Sequence, residues 1–228
     1  MIEGKKVLAI IPARGGSKGI KRKNLKELGD KPLIAWSIDH AINSKYIDYF
    51  IVSTDDDEIA EVAKHYRSAV IFRPHSLASD DASVIDCIVH AVELLEPYDI
   101  IALLQPTSPF RTFQDIDRCL ELLVQSEDVP AVVSLTEPSK SPYWTYKLVE
   151  NKLVSLIEED TNVPRQKLTE TFVLNGAVYV ANTEWLINNR SFISENTMGY
   201  KMPWEKSVDI DTEFDLWLCR KMLEDSII

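Results

Sequence analysis

The sequence predicts an α/β fold: a mostly parallel sheet with helices on both faces. Two observations lead there. Short apolar runs such as Lys6–Ala13 and Tyr49–Thr54 lack polar alternation, as strands buried on both faces do. Between them lie segments of about 11 to 14 residues with helical apolar spacing. That alternation, with no internal repeat and no Gly/Ser linker, describes a sheet covered on both sides, Rossmann-like in layout.

Taken in order, Lys6–Ala13 is the first strand, and Pro32–Ser44 places Leu33, Ile34, Trp36, Ile38, Ala41 and Ile42 at helical spacing. Tyr49–Thr54 is a strand, Asp56–Arg67 a helix with an acidic start, and Ala69–Phe72 a short strand. Ser83–Glu96 (helix), Ile100–Gln105 (strand), Phe113–Ser126 (helix) and Ala131–Leu135 (strand) continue the rhythm. It breaks near Glu137. From there to Thr171, Pro138, Pro142 and Pro164 punctuate a polar stretch. Within it Tyr146–Val149 and Leu153–Ile157 flank Glu150-Asn151-Lys152 as a hairpin. Phe172–Val180 resumes the sheet and Asp211–Glu224 closes the chain as an amphipathic helix. Residues 1–136 and 172–228 therefore read as one α/β domain, and 137–171 as an insertion projecting from it. Tyr143, Trp144 and Tyr146 suit the insertion to a subunit interface, where aromatics are enriched.

Composition narrows the function. With 228 residues, 45% of them hydrophobic, a buried core is expected. No apolar run approaches the ~20 residues of a bilayer span, and the N-terminus reads as a strand rather than a signal peptide, so a cytoplasmic protein with no membrane partner is expected. A net charge of −11 argues against a general nucleic-acid binder. Cys87, Cys119 and Cys219 are scattered through apolar, helix-like surroundings and read as buried thiols rather than disulfides or a zinc site. Four scattered histidines with no His-x-x-x-His pair count against a zinc hydrolase.

Ligands of open parallel sheets bind beyond the carboxyl ends of the strands. After the first strand, residues 14–23 hold three of the seven glycines and five basic residues without an acid. Glycines let backbone N–H groups approach a ligand, and Lys and Arg suit phosphates. The segment is neither a Walker A loop nor Gly-x-Gly-x-x-Gly. After the second strand, Ser53–Glu58 reads mainly as helix-terminal acidity rather than a metal site. Arg73 can read a base edge or pair with Asp80, and Ser83 can cap its helix. Gln105 offers a donor and an acceptor in a loop fixed by Pro106 and Pro109. A glycine within Asn175-Gly176-Ala177 implies close backbone approach. In an extended Ser207–Asp211, Asp209 and Asp211 share one side; their repulsion is relieved by a hard cation such as Mg²⁺, unless Asp211 serves as a helix cap. Together these features favour chemistry at a nucleoside triphosphate.

Ile11–Leu25, Ser53-Thr-Asp55, Arg73-Pro74 with Leu77–Asp80, Leu104–Pro109, Asn175-Gly-Ala177 and Ser207–Asp211 resemble, in that order, the acylneuraminate cytidylyltransferases, or CMP-sialic acid synthetases, including bacterial CMP-nonulosonate synthetases. The Arg-Leu-Pro-Gly-Lys loop typical of the related CMP-Kdo synthetases is absent. The resemblance implies a nucleotidyltransferase-type sheet, CTP and a nine-carbon 2-keto sugar acid as substrates, Mg²⁺ as cofactor, and a homodimer formed through the insertion. It implies that Arg14, Ser17, Lys18, Lys23 and Asn24 hold the triphosphate, with Arg14, Lys23 and Asp211 in the catalytic centre. By the same likeness, Arg73 and Ser83 fix the cytidine, and Asp209 and Asp211 hold the metal. Gln105, Arg165, Tyr179 and Phe192 face the sugar, Phe192 from a partner subunit. The sugar end departs from some sialic acid enzymes. Phe172-Val-Leu-Asn-Gly176 stands for Phe-Arg-Pro-Asn-Gly, Ser191-Phe192 for a Phe pair, and Trp144 for a lysine. Legionaminic and pseudaminic acids are therefore alternative acceptors, and a non-catalytic nucleotide-sugar binder is the alternative from another class.

Overall fold

In a computed structural model, residues 1–79, 81–157 and 168–228 are described. Asp80, Pro164 and Arg165, which the sequence singled out, lie outside these residues. The strands are β1 (Val7–Pro12), β2 (Glu27–Leu28), β3 (Lys31–Pro32), β4 (Tyr49–Thr54), β5 (Ala69–Phe72), β6 (Ile100–Leu103), β7 (Ala131–Thr136), β8 (Tyr146–Val149), β9 (Lys152–Ser155), β10 (Val173–Asn182) and β11 (Met198–Lys201). The helices are α1 (Leu33–Asn43), α2 (Asp57–His65), α3 (Val84–Glu93), α4 (Phe113–Gln125), α5 (Thr183–Asn189) and α6 (Glu213–Glu224).

The main sheet has seven strands in the order β11-β7-β10-β6-β1-β4-β5. β10 pairs antiparallel with β6 and β7, and the other pairings are parallel. The expectation of a mostly parallel sheet holds, with β10 as its reversed member. Side-chain alternation divides the core into two layers. Val7, Ala9 and Ile11 of β1 join Ile34 and Ile38 of α1, Ile59 of α2, and Ile116 and Leu120 of α4. Leu8 and Ile10 face the other way, onto Ile85 and Ile88 of α3 and Leu186 of α5. Each such fully buried aliphatic side chain contributes roughly 1.5–3 kcal/mol of transfer free energy. A third cluster, Leu28, Leu33, Phe110, Ile210, Leu216 and Met222, packs α6 over the small β2–β3 ribbon and the segment preceding α6. That packing holds the segment preceding α6 beside the β2–β3 ribbon.

The expected hairpin is present as β8–β9, a two-stranded sheet of its own. Its turn residues Glu150 and Asn151 both have positive φ (49° and 62°), matching a two-residue turn whose twist suits the strands. Every residue of β8 and β9 is exposed, and the cross-strand partners Leu148 and Leu153 are each 69% exposed. Tyr143 departs from the expected exposed aromatic trio. It is buried, while Trp144 and Tyr146 are open. No helix among the described residues is long and apolar enough to cross a membrane.

Candidate active site

The basic loop leaves β1 and is wired to the neighbouring strand end. Gly15 N donates to Asp55 Oδ1 at 3.0 Å, and a Cβ on Gly15 would collide with the Asp56 carboxylate. A Cβ on Gly19 would collide with the backbone oxygen of Asp211, so glycine is what lets this loop lie against the pre-α6 segment. Arg22, at φ 59°, places its guanidinium on Asp56 (2.5 and 3.1 Å) and Glu58 (2.6 Å). Asp56 also accepts from Ile59 N and caps α2. Burial works against its charge, yet these hydrogen bonds hold its carboxyl below the usual range. The acidic run after β4 is thus structural, as its helix-terminal pattern suggested. Asn24 is buried and braces the loop, donating from Nδ2 to Arg14 O at 3.0 Å.

Beyond the ends of the adjacent strands β1 and β6 lies a cavity of about 500 Å³. Arg14, Ser17, Lys18, Lys23 and Asn24 form one wall. Arg73 and Cys87 line the base of another, and Gln105, Thr107 and Asp211 close the third side. Eight of the thirteen residues singled out from the sequence therefore meet here. Arg73 is 7% exposed; its Nη1 donates to Cys87 Sγ at 2.8 Å, and its Nε has no hydrogen-bond partner. Ser83 takes the capping role that its position allowed, accepting from Ile85 N at 3.2 Å at the start of α3. Its neighbours Ala82 and Val84 line the cavity.

Val208 and Ile210 are buried while Asp209 and Asp211 face outward, the alternation expected of an extended segment. Ile210 N donates to Thr107 O at 2.8 Å and pins the segment beside the cavity. Asp211 is not the cap of α6. Thr212 and Asp215 form a reciprocal capping box, which leaves the Asp211 side chain 70% exposed. Lys23 Nζ sits 2.9 Å from Asp211 Oδ1 and is itself only 14% exposed. Asp209 keeps an open edge, but the surrounding protein displaces enough water to raise its carboxyl above the usual range. A Thr107 hydrogen bond opposes this rise, and the Asp211 charge adds to it. Among the described residues no group of three or more His, Cys, Asp or Glu could hold a metal ion.

Two supporting groups, Arg111 and His40, have no signal in the local sequence. Arg111 is fully buried and donates to Gln105 O (2.8 Å), Ser108 O (2.7 Å) and Ser37 Oγ. Burial pushes its guanidinium down to about 9. His40 Nε2 lies 3.2 Å from Pro109 O, so the neutral ring donates to the same loop. Asn175 is a buried hub: its Oδ1 accepts from Ser134 Oγ (2.6 Å) and Ala177 N (3.1 Å), and its Nδ2 donates to Ser207 Oγ (2.9 Å). Gly176, at φ 70°, sits so close that a Cβ would lie 3.2 Å from Gln105 Nε2. Tyr179, on β10, is half-buried beside Asp209, whose charge adds to burial in raising its hydroxyl. Phe192 is buried and packs edge-on against the Tyr179 ring at 5.5 Å, behind the site within its own chain.

A family model described as cytidylyltransferase matches residues 8–173. An N-acylneuraminate cytidylyltransferase of Escherichia coli is 35% identical over 93% of this chain; the chain spans 51% of that protein's length. A CMP-N,N'-diacetyllegionaminic acid synthase of Legionella pneumophila is also 35% identical, over 96% of this chain and 97% of that one. A pseudaminic acid cytidylyltransferase of Campylobacter jejuni is 33% identical over 92% and 93%. Among solved structures, a CMP:2-keto-3-deoxy-manno-octonic acid synthetase complexed with CTP superposes with a TM-score of 0.76 at 20% identity, covering 97% of this chain and 99% of that one, a likeness of fold.

Proposed function

The chain belongs to the cytidylyltransferase family, and from that premise we propose that it couples CTP to a nine-carbon 2-keto sugar acid, N-acetylneuraminate or a related nonulosonic acid, giving a CMP-sugar and pyrophosphate. One observation carries the reading. A basic glycine loop meets Asp211, one of an outward-facing carboxylate pair, at one cavity, with Lys23 and Asp211 2.9 Å apart. Cations on one side and carboxylates on the other suit a metal–triphosphate complex, in which charge must be neutralised on both the transferred and the leaving oxygens.

In this reading the C2 hydroxyl oxygen of the sugar acid attacks the α-phosphorus. The new C2–O–P bond forms as the bond to the β-phosphate oxygen breaks; pyrophosphate leaves with the electron pair, and the hydroxyl proton is lost to solvent. Arg14, Ser17 and Lys18 hold the β- and γ-phosphates, Lys23 neutralises the α-phosphate, and Asn24 keeps the loop in shape through its bond to the Arg14 carbonyl. Arg73 meets the cytosine edge from the cavity base, with Ser83 fixing the start of the neighbouring helix. The donor set at Asp209 and Asp211 fits Mg²⁺: two carboxylates suffice for an ion that keeps several waters and takes phosphate oxygens. When bound, Mg²⁺ supplies charge neutralisation at the phosphates. Asp209 and Asp211 would hold the ion, and Lys23, 2.9 Å from Asp211, would stay beside the α-phosphate as the chain's own cation. Gln105, which lines the cavity, and Tyr179, beside Asp209, are assigned to the sugar. Phe192 backs the Tyr179 ring from within its own chain; Arg165 is assigned there by likeness alone.

We assign residues 1–136 and 172–228 to the nucleotide-binding domain and 137–171 to a dimerisation element, supported by the exposed leucines of β8 and β9. A cytoplasmic homodimer acting on small molecules, with no nucleic-acid partner, fits the charge of −11. A second reading, N,N'-diacetyllegionaminate as acceptor, is favoured by the end-to-end match to the Legionella synthase and by Val173 standing where some sialic acid enzymes carry a cation. Pyrophosphate release from CTP and Mg²⁺ with N-acetylneuraminic, legionaminic, pseudaminic and Kdo acids side by side tests both. Release with one of the first three supports the proposal and names the acceptor. Silence with all four despite CTP binding overturns it in favour of a binding role.

A further inference from the structure

The three thiols do not have equal surroundings. Cys119 and Cys219 belong to apolar clusters, and burial pushes both thiols up, that of Cys219 to about 12. Cys87 lies outside those clusters and lines the cavity, although it is itself buried. Its Sγ lies 3.2 Å from Leu77 O and 2.8 Å from Arg73 Nη1. A guanidinium only donates, so the sulfur must accept from Arg73, and its S–H is left to donate to the Leu77 carbonyl. The polarity of this relay is therefore fixed.

Leu77 sits in the single helical turn His75–Ala78, and Arg14 Nη1 approaches the next carbonyl of that turn, Ala78 O, at 3.4 Å. One turn of chain thus meets both arginines of the cavity, Arg14 directly and Arg73 through the Cys87 sulfur. Arg73 is a buried cation that lines the cavity, and its Nε has no hydrogen-bond partner in the chain, so few contacts fix its plane. Without the sulfur, the guanidinium would lose a contact that holds its plane and would sample other rotamers at the site of nucleotide entry.

We propose that Cys87 is a positioning residue for the nucleotide: its sulfur orients Arg73 toward the pyrimidine and so sets CTP affinity, without touching the reacting phosphorus. The assignment rests on the reading of this cavity as the CTP site. It predicts a split between binding and turnover, because pre-orienting a donor lowers the cost of binding while the α-phosphate chemistry at Lys23 is unchanged.

The test compares Cys87→Val, which keeps apolar bulk but removes the acceptor and the donor, with Cys87→Ser, which keeps both. CTP is titrated calorimetrically into each, and KM and kcat are measured with the best acceptor acid. Cys87→Val should raise the Kd and KM for CTP about five- to tenfold with kcat within about twofold, and Cys87→Ser should stay within about twofold of the parent in both. Parent-like affinity in Cys87→Val, or weaker binding in Cys87→Ser than in Cys87→Val, would show that the thiol only fills space and overturn the proposal. If Cys87→Val does not fold, Cys87→Ala carries the same prediction without adding bulk. The parent titration separates the two levels. A parent that fails to bind CTP refutes the assignment of the cavity and the role of Cys87 with it. A parent that binds CTP as tightly as Cys87→Val refutes the role of Cys87 alone.

Discussion

Two ends of the molecule, the loops after β1, β4 and β6 and the β8–β9 hairpin with the start of β10, are built on opposite plans. Around β1, β4 and β6 the polar groups of the loops are held by partners in the same chain: Gly15 by Asp55, Arg22 by Asp56 and Glu58, and Lys23 by Asp211. In the β8–β9 hairpin and at the start of β10, Leu148, Leu153, Phe172, Val173 and Leu174 instead present apolar surface to water. The nucleotide end is organised before any ligand arrives, which reduces the ordering cost of binding. The other end presents a row of apolar side chains to water, which supports the dimerisation element proposed there.

The largest effect expected at the nucleotide end is on the reaction itself. Lys23→Ala should lower kcat by about 10²- to 10³-fold, the usual loss when one stabiliser of transition-state charge is removed. Asp209→Ala should flatten the dependence of rate on Mg²⁺. Steady-state pyrophosphate release against Mg²⁺ concentration reads both, and near-parent behaviour of the pair would dissolve the assigned site.

Next in size is the hub that joins the two ends. Asn175→Ala strips acceptors from Ser134 Oγ and Ala177 N and a donor from Ser207 Oγ. Leaving such buried groups unpaired costs about 2–4 kcal/mol. Urea melts should show that loss, while Asn151→Ala in the exposed hairpin turn should leave the midpoint almost unchanged.

A smaller effect concerns pH. Burial and the nearby Arg111 charge lower His40 to about 4, against 6.5 for the free side chain. Between those values the unfolded chain binds the proton and the folded one does not. Stability therefore falls as pH drops from about 6.5 to about 4, by at most about 1.4 kcal/mol per pH unit. Above that window His40 contributes no pH dependence. His40→Gln, which can still donate to Pro109 O, should remove this segment of the stability–pH curve, and an unchanged curve would place the proton elsewhere.

Much of this organisation is legible in the chain. The apolar runs at β1, β4 and β6 declare buried strands, and the concentration of glycine and base after β1 marks the loop that lines the cavity. Asp209 and Asp211 are legible by their period of two. Their freedom was readable too, since Thr212-x-x-Asp215 is a capping signature that relieves Asp211 of that duty. Other features have no local signal. The reversal of β10 follows from connectivity rather than composition, and the short β11 and α5 carry too few apolar positions to announce themselves. The partners of Asn175 lie 32 and 41 residues away, and Arg111 looks like a surface cation until the loop it holds closes over it. Local patterns write elements and caps, whereas convergence at a distance is written only by the assembled fold.

The contrast between the two ends is tested most directly by titrating CTP into a Leu148→Asp/Leu153→Asp variant, with light scattering to read its mass. Charges on the hairpin should give a monomer that binds CTP with a Kd within about twofold of the parent, because each group assigned to the nucleotide comes from the same chain. A monomer that has lost CTP binding would contradict this, and would mean that the nucleotide pocket is itself completed by the partner.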